Sequence, residues 1–192
     1  MARAASVDAV ASIEMVAAAI FDLDRTLLRT SSTPAINEAL FEVGLARRPS
    51  VPGQGLMMRF YNVFGETVPA MALARGAVLA SRGWPVDDVR DAAELTADLL
   101  ELQVLPYVPG LLARHRGAGR RLVLATTTPD HYLLPFARRL GFDEVIATRY
   151  STAKDSRGVE RFTGSLDGGF IWATGKLQAV RRWATIEGIS LG

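Results

Sequence analysis

Two aspartates separated by one residue, Asp22 and Asp24, follow a run of apolar residues at 15–21. The run shows no alternation of polar and apolar residues, which is typical of a strand buried on both faces in a parallel sheet. A carboxylate at the end of such a strand is costly to desolvate unless a cation or a hydrogen-bond donor meets it. The pair therefore predicts a positively charged partner at the end of this strand.

Hydroxyl groups and a lysine are the candidate partners of the two acids. Thr26 follows them in the same loop, Thr126 follows a second apolar run at 121–125, and Lys176 stands where a helix is predicted to begin. Ligands of open α/β sheets bind beyond the carboxyl ends of the strands, and amides in the first turn of a helix attract anions. Because Mg²⁺ prefers oxygen ligands and bridges carboxylate to phosphate, these residue types indicate a site for a phosphate and a hard cation.

Electrostatics explains why such a site needs both acids and cations. A carboxylate that attacks a phosphate dianion meets a repulsion of about 4 kcal/mol per charge pair at about 4 Å and an effective dielectric constant of about 20. Magnesium and a lysine must neutralise this repulsion before attack is possible.

A strand, a helix and a second strand are predicted around the second apolar run. The strands are at 121–125 and 144–147, and between them Thr128 can cap a helix that begins at Pro129 and ends at Gly141. This pattern predicts a parallel βαβ unit with a right-handed crossover. We therefore expect an α/β fold with a Rossmann-like parallel sheet and helices on both faces.

A helical segment separates the first strand from this unit. Apolar residues at helical spacing predict a helix at 35–43, and a clear amphipathic pattern predicts another at 86–105. Residues 161–167, followed by two glycines, indicate a small hairpin or flap. The chain is accordingly divided into a first part of the core, a helical cap and a second part of the core, at 1–33, 34–105 and 106–192.

Composition excludes several classes of function. The 192 residues are 49% apolar, carry a net charge of +2 and include no cysteine, so the chain can bury a core but has no thiol nucleophile, disulfide or cysteine-ligated zinc. The arginine pairs are scattered without interleaved aromatic residues, which argues against a nucleic-acid partner. No apolar run is long enough to span a bilayer. We expect a soluble, cytoplasmic protein that binds a small phosphorylated metabolite.

Histidines and tryptophans are given structural interpretations. His115 and His131 lack a paired acid at catalytic spacing, so each is expected to be structural or exposed. Trp84, Trp172 and Trp183 are interpreted as packing residues of the core or the cap.

Three stretches resemble motifs of one enzyme family. FDLDRTL resembles the first motif of the haloacid dehalogenase-like (HAD) superfamily of phosphohydrolases, LVLATTTP the second, and TGK before a helix the third. The order of PDHYLLPFARRLGFDEVIAT, FTG and GK is similar to subfamily IB, which includes phosphoserine phosphatase-like enzymes with a helical cap after the first motif. The resemblance extends over about residues 15–186.

The resemblance implies a role for each matched residue. Asp22 would be the nucleophile that forms an aspartyl-phosphate, and Asp24 would protonate the leaving oxygen and then deprotonate the hydrolytic water. Thr126 and Lys176 would hold the substrate phosphate, with Thr26 beside them bracing the loop. Mg²⁺ would bind the side chain of Asp22 and the backbone carbonyl of Asp24. The implied function is magnesium-dependent hydrolysis of a small phosphate monoester.

A fourth motif of the family does not appear in the sequence. It would be a further acidic pair roughly twenty residues beyond the lysine, whereas the 16 residues after Lys176 contain Glu187 and no aspartate. We therefore expect that a strand and a magnesium ligand are missing from this chain, that hydrolysis is impaired, and that an exposed sheet edge favours a homo-oligomer.

Substrate and catalysis each leave an alternative open. In the phosphoserine phosphatases an acid nine residues after the nucleophile binds the substrate amine, and Ser31 stands at that position here, so phosphoserine is not the preferred substrate. A phosphotransferase shares the first half of the mechanism. The other alternative is a non-catalytic protein, either a phosphate-binding pseudo-enzyme or a subunit that a partner completes.

Overall fold

The computed structural model describes residues 17–46, 68–172 and 174–189, with side chains from 74 onward in the second range. No helix within these ranges is long and apolar enough to cross a membrane. In chain order the helices and strands are β1 (Ala18–Phe21), α1 (Thr33–Glu42), α2 (Val68–Ala80), α3 (Val86–Glu101), α4 (Val108–Gly117), β2 (Arg121–Ala125), a 3-10 turn (Asp130–Tyr132), α5 (Leu134–Leu140), β3 (Glu144–Ile146), β4 (Tyr150–Lys154), β5 (Glu160–Leu166) and α6 (Thr174–Ile186).

The described part of the chain contains a parallel sheet with the strand order β1-β2-β3. Phe21 pairs with Leu124 and Ala125 with Ile146, so the carboxyl ends of all three strands lie at one edge. This confirms the predicted strands and the βαβ unit; residues 15 and 16 of the first predicted strand lie outside the described residues. Among the described strands β1 is an edge strand, and association through that edge stays a prediction.

Helices cover both faces of this sheet, as predicted. Leu122 and Leu124 of β2 face a core cluster that includes Phe136 of α5. Val123, between them, faces the opposite way and packs in a second cluster with Val180 of α6. Because successive side chains of a strand point to opposite faces, burial of both faces requires the continuous apolar run seen in the sequence.

The helix between β2 and β3 begins later than predicted. Residues 130–132 form only a 3-10 turn, Leu133 follows with a φ of −110°, and α5 begins at Leu134 with Pro135 in its first turn. Thr128 makes no capping hydrogen bond, because Pro129 before the turn is extended, with a ψ of 138°. The predicted end is correct: Gly141 closes α5 in the left-handed conformation, with a φ of 77°.

The long amphipathic helix is shorter than the predicted 86–105. α3 ends at Glu101, and Val104 instead forms an antiparallel bridge with Leu28 in the loop after the two aspartates. The amide of Arg29 also donates to the carbonyl of Gln103 at 3.0 Å. Backbone groups of that loop would otherwise be buried without partners, so tertiary pairing outweighs helical propensity in this segment.

α3 also contributes to the main core. Ala97 and Leu100 are fully buried in the cluster that covers one face of the sheet. The segment 34–105 therefore contributes side chains to the core. The division of the chain into a core and a cap at 34–105 stays a prediction.

Strands β4 and β5 form an antiparallel hairpin. The small hairpin or flap predicted at 161–167 is therefore placed wrongly, because most of those residues belong to β5 alone and the partner strand is β4. The hairpin is tied to the segment after α2, because the amide of Phe162 donates to the carbonyl of Trp84 at 3.0 Å and the amide of Gly83 to the carbonyl of Phe162 at 2.8 Å. Tyr150 and Phe162 of the hairpin surround His131 together with Tyr132.

His131 is buried within this aromatic cluster, and burial lowers the pKa of its imidazole. Neither ring nitrogen has a hydrogen-bond partner among the described residues, and the closest carboxylate oxygen is Asp130 Oδ1, 3.6 Å from Nδ1. The structure therefore favours the neutral ring, since protonation would place a poorly compensated charge among aromatic side chains.

The protein is expected to lose stability as the pH decreases, because His131 is buried in its neutral form. Below the ordinary histidine pKa of about 6.5 the unfolded chain binds a proton at this ring and the folded chain does not. The free energy of unfolding therefore decreases by up to about 1.4 kcal/mol for each unit by which the pH is lowered. Above that pH the ring is neutral in both states, and no stability is lost through it. Chemical denaturation between about pH 7 and pH 5 should show a weaker pH dependence for His131→Gln than for the parent chain. His115→Gln is the matched control, and equal slopes for all three proteins would contradict the prediction.

Candidate active site

Asp22 lies immediately after β1 and contacts two of the residues predicted to accompany it. Lys176 Nζ donates to Asp22 Oδ1 at 2.8 Å, and Thr26 Oγ1 donates to Oδ2 at 3.0 Å. The Asp22 side chain is 41% exposed and that of Lys176 28% exposed, so a solute can reach both. Lys176 therefore supplies the positively charged partner that the sequence predicted at the end of the strand.

Lys176 lies in the first turn of α6, which positions its side chain at the site. The amide of Gly175 donates to the carbonyl of Trp172 at 2.7 Å, which forms a tight turn into the helix. The preceding residue Ile171 is anchored by its amide to the Oγ1 of buried Thr148, at 3.0 Å. These bonds fix the helix start at the carboxyl edge of the sheet, where helical amides favour an anion.

Asp24 occupies a more enclosed position than Asp22. Its Oδ1 accepts a hydrogen bond of 2.7 Å from the amide of Ser32, and Thr128 Oγ1 lies 3.5 Å from Oδ2. The hydroxyls of Ser32 and Thr128 are themselves 3.0 Å apart and buried. Burial raises the pKa of the Asp24 carboxyl and the neighbouring Asp22 charge adds to this, although the hydrogen bonds from Ser32 act in the opposite direction.

A tight turn after β1 places the two carboxylates in different surroundings. The amides of Leu27 and Leu28 both donate to the carbonyl of Leu23, and Arg25 adopts a left-handed conformation with a φ of 59°. A side chain is rarely found in that conformation unless the surrounding structure holds it. The Tyr107 hydroxyl donates to the carbonyl of Thr26 and closes the turn. As a result Asp22 faces α6, whereas Asp24 faces the start of α1.

Thr126 follows β2 and belongs to the Asp24 side of the site. Its side chain is almost completely buried, and its Oγ1 accepts a hydrogen bond of 3.2 Å from the amide of Thr128. Among the described residues no hydrogen bond joins it to Asp22 or Lys176. The predicted site residues thus form two groups, with Asp22, Thr26 and Lys176 in one, and Asp24 and Thr126 linked through Thr128 in the other.

Sequence reasoning missed two residues that hold Asp24. Thr128 was interpreted as a helix cap, and Ser32 was not singled out at all. The run of three threonines at 126–128 was the one available signal for Thr128. Nothing in the sequence points to Ser32, because its contact with Thr128 joins residues 96 positions apart.

A cavity of about 560 Å³ opens beside Asp24. Its walls come from α1, the carboxyl end of α2, the turn after β2 and the segment before α6. Most of the described lining is aliphatic or aromatic. The larger lining side chains are those of Ile36, Leu40, Leu45, Trp84, Tyr132, Tyr150, Phe170, Ile171 and Trp172. Two of the three tryptophans, interpreted from the sequence as packing residues, therefore border open space.

The oxygen donors of the two aspartates fit Mg²⁺ in their chemistry. The Asp22 side chain is accessible to solvent, and none of the backbone hydrogen bonds between described residues uses the Asp24 carbonyl. Within the described ranges no group of three acidic or histidine side chains could hold a metal ion. Since Mg²⁺ retains several waters and takes oxygens from substrate phosphates, one carboxylate and one carbonyl can serve as its protein ligands.

Comparisons with known proteins identify relatives in sequence and in fold. The phosphoserine phosphatase of Mycobacterium tuberculosis is 30% identical over 98% of this chain and 60% of its own length. A protein of unknown function from Bordetella pertussis is 26% identical, with a TM-score of 0.70 over 93% of this chain and 78% of that structure. A structure of a phosphoserine phosphatase with a phospho-aspartyl intermediate analogue shares the fold at 20% identity, with a TM-score of 0.59 over 93% of this chain and 75% of that one.

This chain matches only part of the length of its curated relatives, although the family model matches nearly all of this chain. The chain spans about three fifths of the curated relatives that it matches, 62% and 59% for proteins from Streptomyces azureus and Mycobacterium tuberculosis. The model of one family, by contrast, matches nearly all of it, from 19 to 192. With two aspartates after the first strand and a lysine at a helix start beside them, the chain belongs to the haloacid dehalogenase-like hydrolases.

Proposed function

We propose that this protein is a magnesium-dependent phosphatase that hydrolyses a small phosphate monoester through an aspartyl-phosphate on Asp22. The observation that carries the proposal is the Asp22 carboxylate, which is accessible to solvent and held by Lys176 Nζ at 2.8 Å and Thr26 Oγ1 at 3.0 Å. An oriented carboxylate beside a cation is the arrangement that nucleophilic attack on a phosphate dianion requires.

In the first step Asp22 attacks phosphorus. Lys176 and the first amides of α6 balance the charge of the phosphoryl oxygens, and Thr26 restrains the carboxylate by holding its other oxygen. A bond forms between an Asp22 oxygen and phosphorus, while the bond between phosphorus and the ester oxygen breaks. Asp24 gives its proton to that oxygen, so the alcohol leaves neutral.

In the second step water replaces Asp22 on phosphorus. Asp24, now ionised, takes a proton from the water, whose oxygen bonds to phosphorus as the acyl phosphate bond breaks. Inorganic phosphate and the free Asp22 carboxylate result. Ser32 and Thr128 keep the Asp24 carboxyl in place through both proton transfers. Thr126 in turn holds Thr128, because its Oγ1 accepts a hydrogen bond from the Thr128 amide.

Magnesium would be held by the Asp22 carboxylate and the Asp24 carbonyl. When bound, it supplies positive charge that offsets the repulsion between nucleophile and phosphate and that stabilises the charge on the transferred group.

Similar proteins support the class of reaction. A relative bears the name phosphoserine phosphatase, and a structure with the same fold contains an analogue of a phospho-aspartyl intermediate. We infer a small phosphorylated metabolite as substrate, and we propose that segment 34–105 acts as the substrate-selecting cap, because α1 and α2 provide much of the cavity wall beside Asp24.

Lys176→Gln is expected to lower kcat/KM for p-nitrophenyl phosphate about 10²-fold, the usual cost of removing one charge-stabilising donor. The only other lysine in the chain, Lys154, lies on the exposed hairpin strand β4. Lys154→Gln is therefore the matched control and should retain the parent rate. Phosphate release with and without added magnesium measures both effects. Equal rates for the two variants, or hydrolysis indifferent to magnesium and a chelator, would contradict the proposed site.

A second candidate function is phosphate binding without turnover. It is favoured by the observation that, in the described ranges, only two acids meet at the site and no third ligand accompanies them. Saturable binding of inorganic phosphate that Lys176→Gln weakens, without hydrolysis of any ester under conditions where the chain is folded, would select this candidate. Hydrolysis that depends on Asp22 would exclude it.

A further inference from the structure

The cavity beside Asp24 indicates the chemical class of the leaving group, an inference that rests on the proposed function. The group that protonates the ester oxygen must lie against the leaving alcohol. Asp24, assigned that task, lines the cavity directly. The alcohol part of the ester would therefore occupy this cavity, while the phosphate lies toward Asp22 and Lys176.

Charge is nearly absent from the described wall of the cavity. Asp24 is the one charged residue among the described residues that line it, and the other polar side chains are neutral, namely those of serine, threonine and asparagine. Because Asp24 must hold its proton to act as the acid, it offers no negative charge to an ammonium group of a substrate, and no described lining residue offers a positive charge to a carboxylate group. Either group would lose its hydration there without a partner of opposite charge, which is costly. Phosphoserine carries both groups.

The apolar wall is extensive. Ile36 and Leu40 project from α1, Trp84 follows α2, and Tyr132 and Trp172 contribute from the turn after β2 and from the segment before α6. The volume of about 560 Å³ lies in the range of sites for ligands much larger than a short polar alcohol. An apolar alcohol gains free energy in proportion to the area that it buries against such a wall.

We propose that the substrate is the phosphate monoester of an uncharged, largely apolar alcohol with a long aliphatic or ring-containing body. Each methylene buried in the cavity should then improve recognition about two- to fourfold until the cavity is filled. Substrates with charged groups on the alcohol side should be recognised poorly.

The test compares primary alkyl phosphates from ethyl to octyl with phosphoserine. These alkyl esters differ in apolar area but have leaving groups of similar basicity, so their kcat/KM values report recognition rather than intrinsic reactivity. We expect a steady rise from ethyl to butyl to hexyl, and an octyl ester that exceeds phosphoserine. A flat series, or a preference for phosphoserine, would overturn the inference.

Two substitutions on α2 test whether the alcohol part of the ester binds in this cavity. Ala77 lines the cavity, whereas Leu79 does not and is 67% exposed. Ala77→Phe should fill part of the cavity and reduce the ratio of octyl to ethyl kcat/KM severalfold, while Leu79→Phe should preserve that ratio. An unchanged ratio in Ala77→Phe would contradict binding of the alcohol in this cavity.

Binding measurements separate this inference from the proposed function. Alkylphosphonates from ethyl to octyl cannot be hydrolysed at the phosphorus–carbon bond, and their affinities can be followed by the fluorescence of Trp84 and Trp172 in the wall. If no ester is hydrolysed but affinity rises with chain length, the proposed function fails and the ligand class stands. If esters are hydrolysed in an Asp22-dependent manner but affinity is independent of chain length, the ligand class fails alone.

Discussion

Replacing Asp22 with asparagine is expected to lower phosphatase activity by at least about 10⁴-fold, because the variant lacks the nucleophile on which the phosphoryl group would be carried. The amide has nearly the same shape, and it can still accept a hydrogen bond from Lys176 or Thr26. The loss should therefore appear in kcat rather than in folding. The measurement is phosphate release from p-nitrophenyl phosphate in the presence of magnesium, together with thermal unfolding of both proteins.

An exposed aspartate provides the control for this substitution. Asp87 lies in the first turn of α3 and pairs with Arg90 at the surface, so Asp87→Asn should retain the parent activity. Mass spectrometry after a rapid acid quench should detect one added phosphoryl group on the parent chain and none on Asp22→Asn. Activity of Asp22→Asn within tenfold of the parent rate would exclude Asp22 as the nucleophile.

Replacing Asp24 with asparagine is expected to lower steady-state turnover by about 10²- to 10⁴-fold, the range typical of a general acid and base. The loss should depend on the leaving group. p-Nitrophenolate departs without protonation, so the variant should still transfer the phosphoryl group from this ester to Asp22. The second step needs Asp24 to deprotonate water, and the variant should stop there.

Rapid-mixing kinetics would show this stop as a burst. About one equivalent of p-nitrophenolate per active site should appear before turnover slows, and phosphorylated Asp22 should accumulate. Alkyl phosphates, which need protonation in the first step, should give no burst. The fold should be retained, because the asparagine oxygen can accept the hydrogen bond from the Ser32 amide and its amide can donate to Thr128. A uniform loss for all esters without a burst would point to a structural role for Asp24 instead.

The parallel sheet and its helices were predictable because their signals are local. Continuous apolar runs specify strands buried on both faces, and Gly141 specifies the end of α5 through its left-handed conformation. The errors arose where tertiary contacts outweigh local preference. Val104 leaves the predicted helix to pair with Leu28. Thr128 turns its hydroxyl toward Ser32 and Asp24 instead of capping a helix.

The candidate site was predictable in part for the same reason. Asp22, Thr26 and Lys176 were recognisable from residue type and from their places at the end of a strand and the start of a helix, and the structure joins all three by hydrogen bonds. Their catalytic roles stay predictions. Ser32 could not be found from the sequence, because its importance depends on a contact across 96 positions.

The sequence by itself determined that two acids leave a buried strand together and that a lysine begins a helix able to meet them, since burial, periodicity and spacing are properties of neighbouring residues. Only the tertiary structure decided that Lys176 contacts Asp22, whereas Asp24 is held by Ser32 and Thr128 beside an apolar cavity. The wall of that cavity comes from segments far apart in the chain. Its shape and the scarcity of charge in its described wall arise from their packing, which no local pattern encodes.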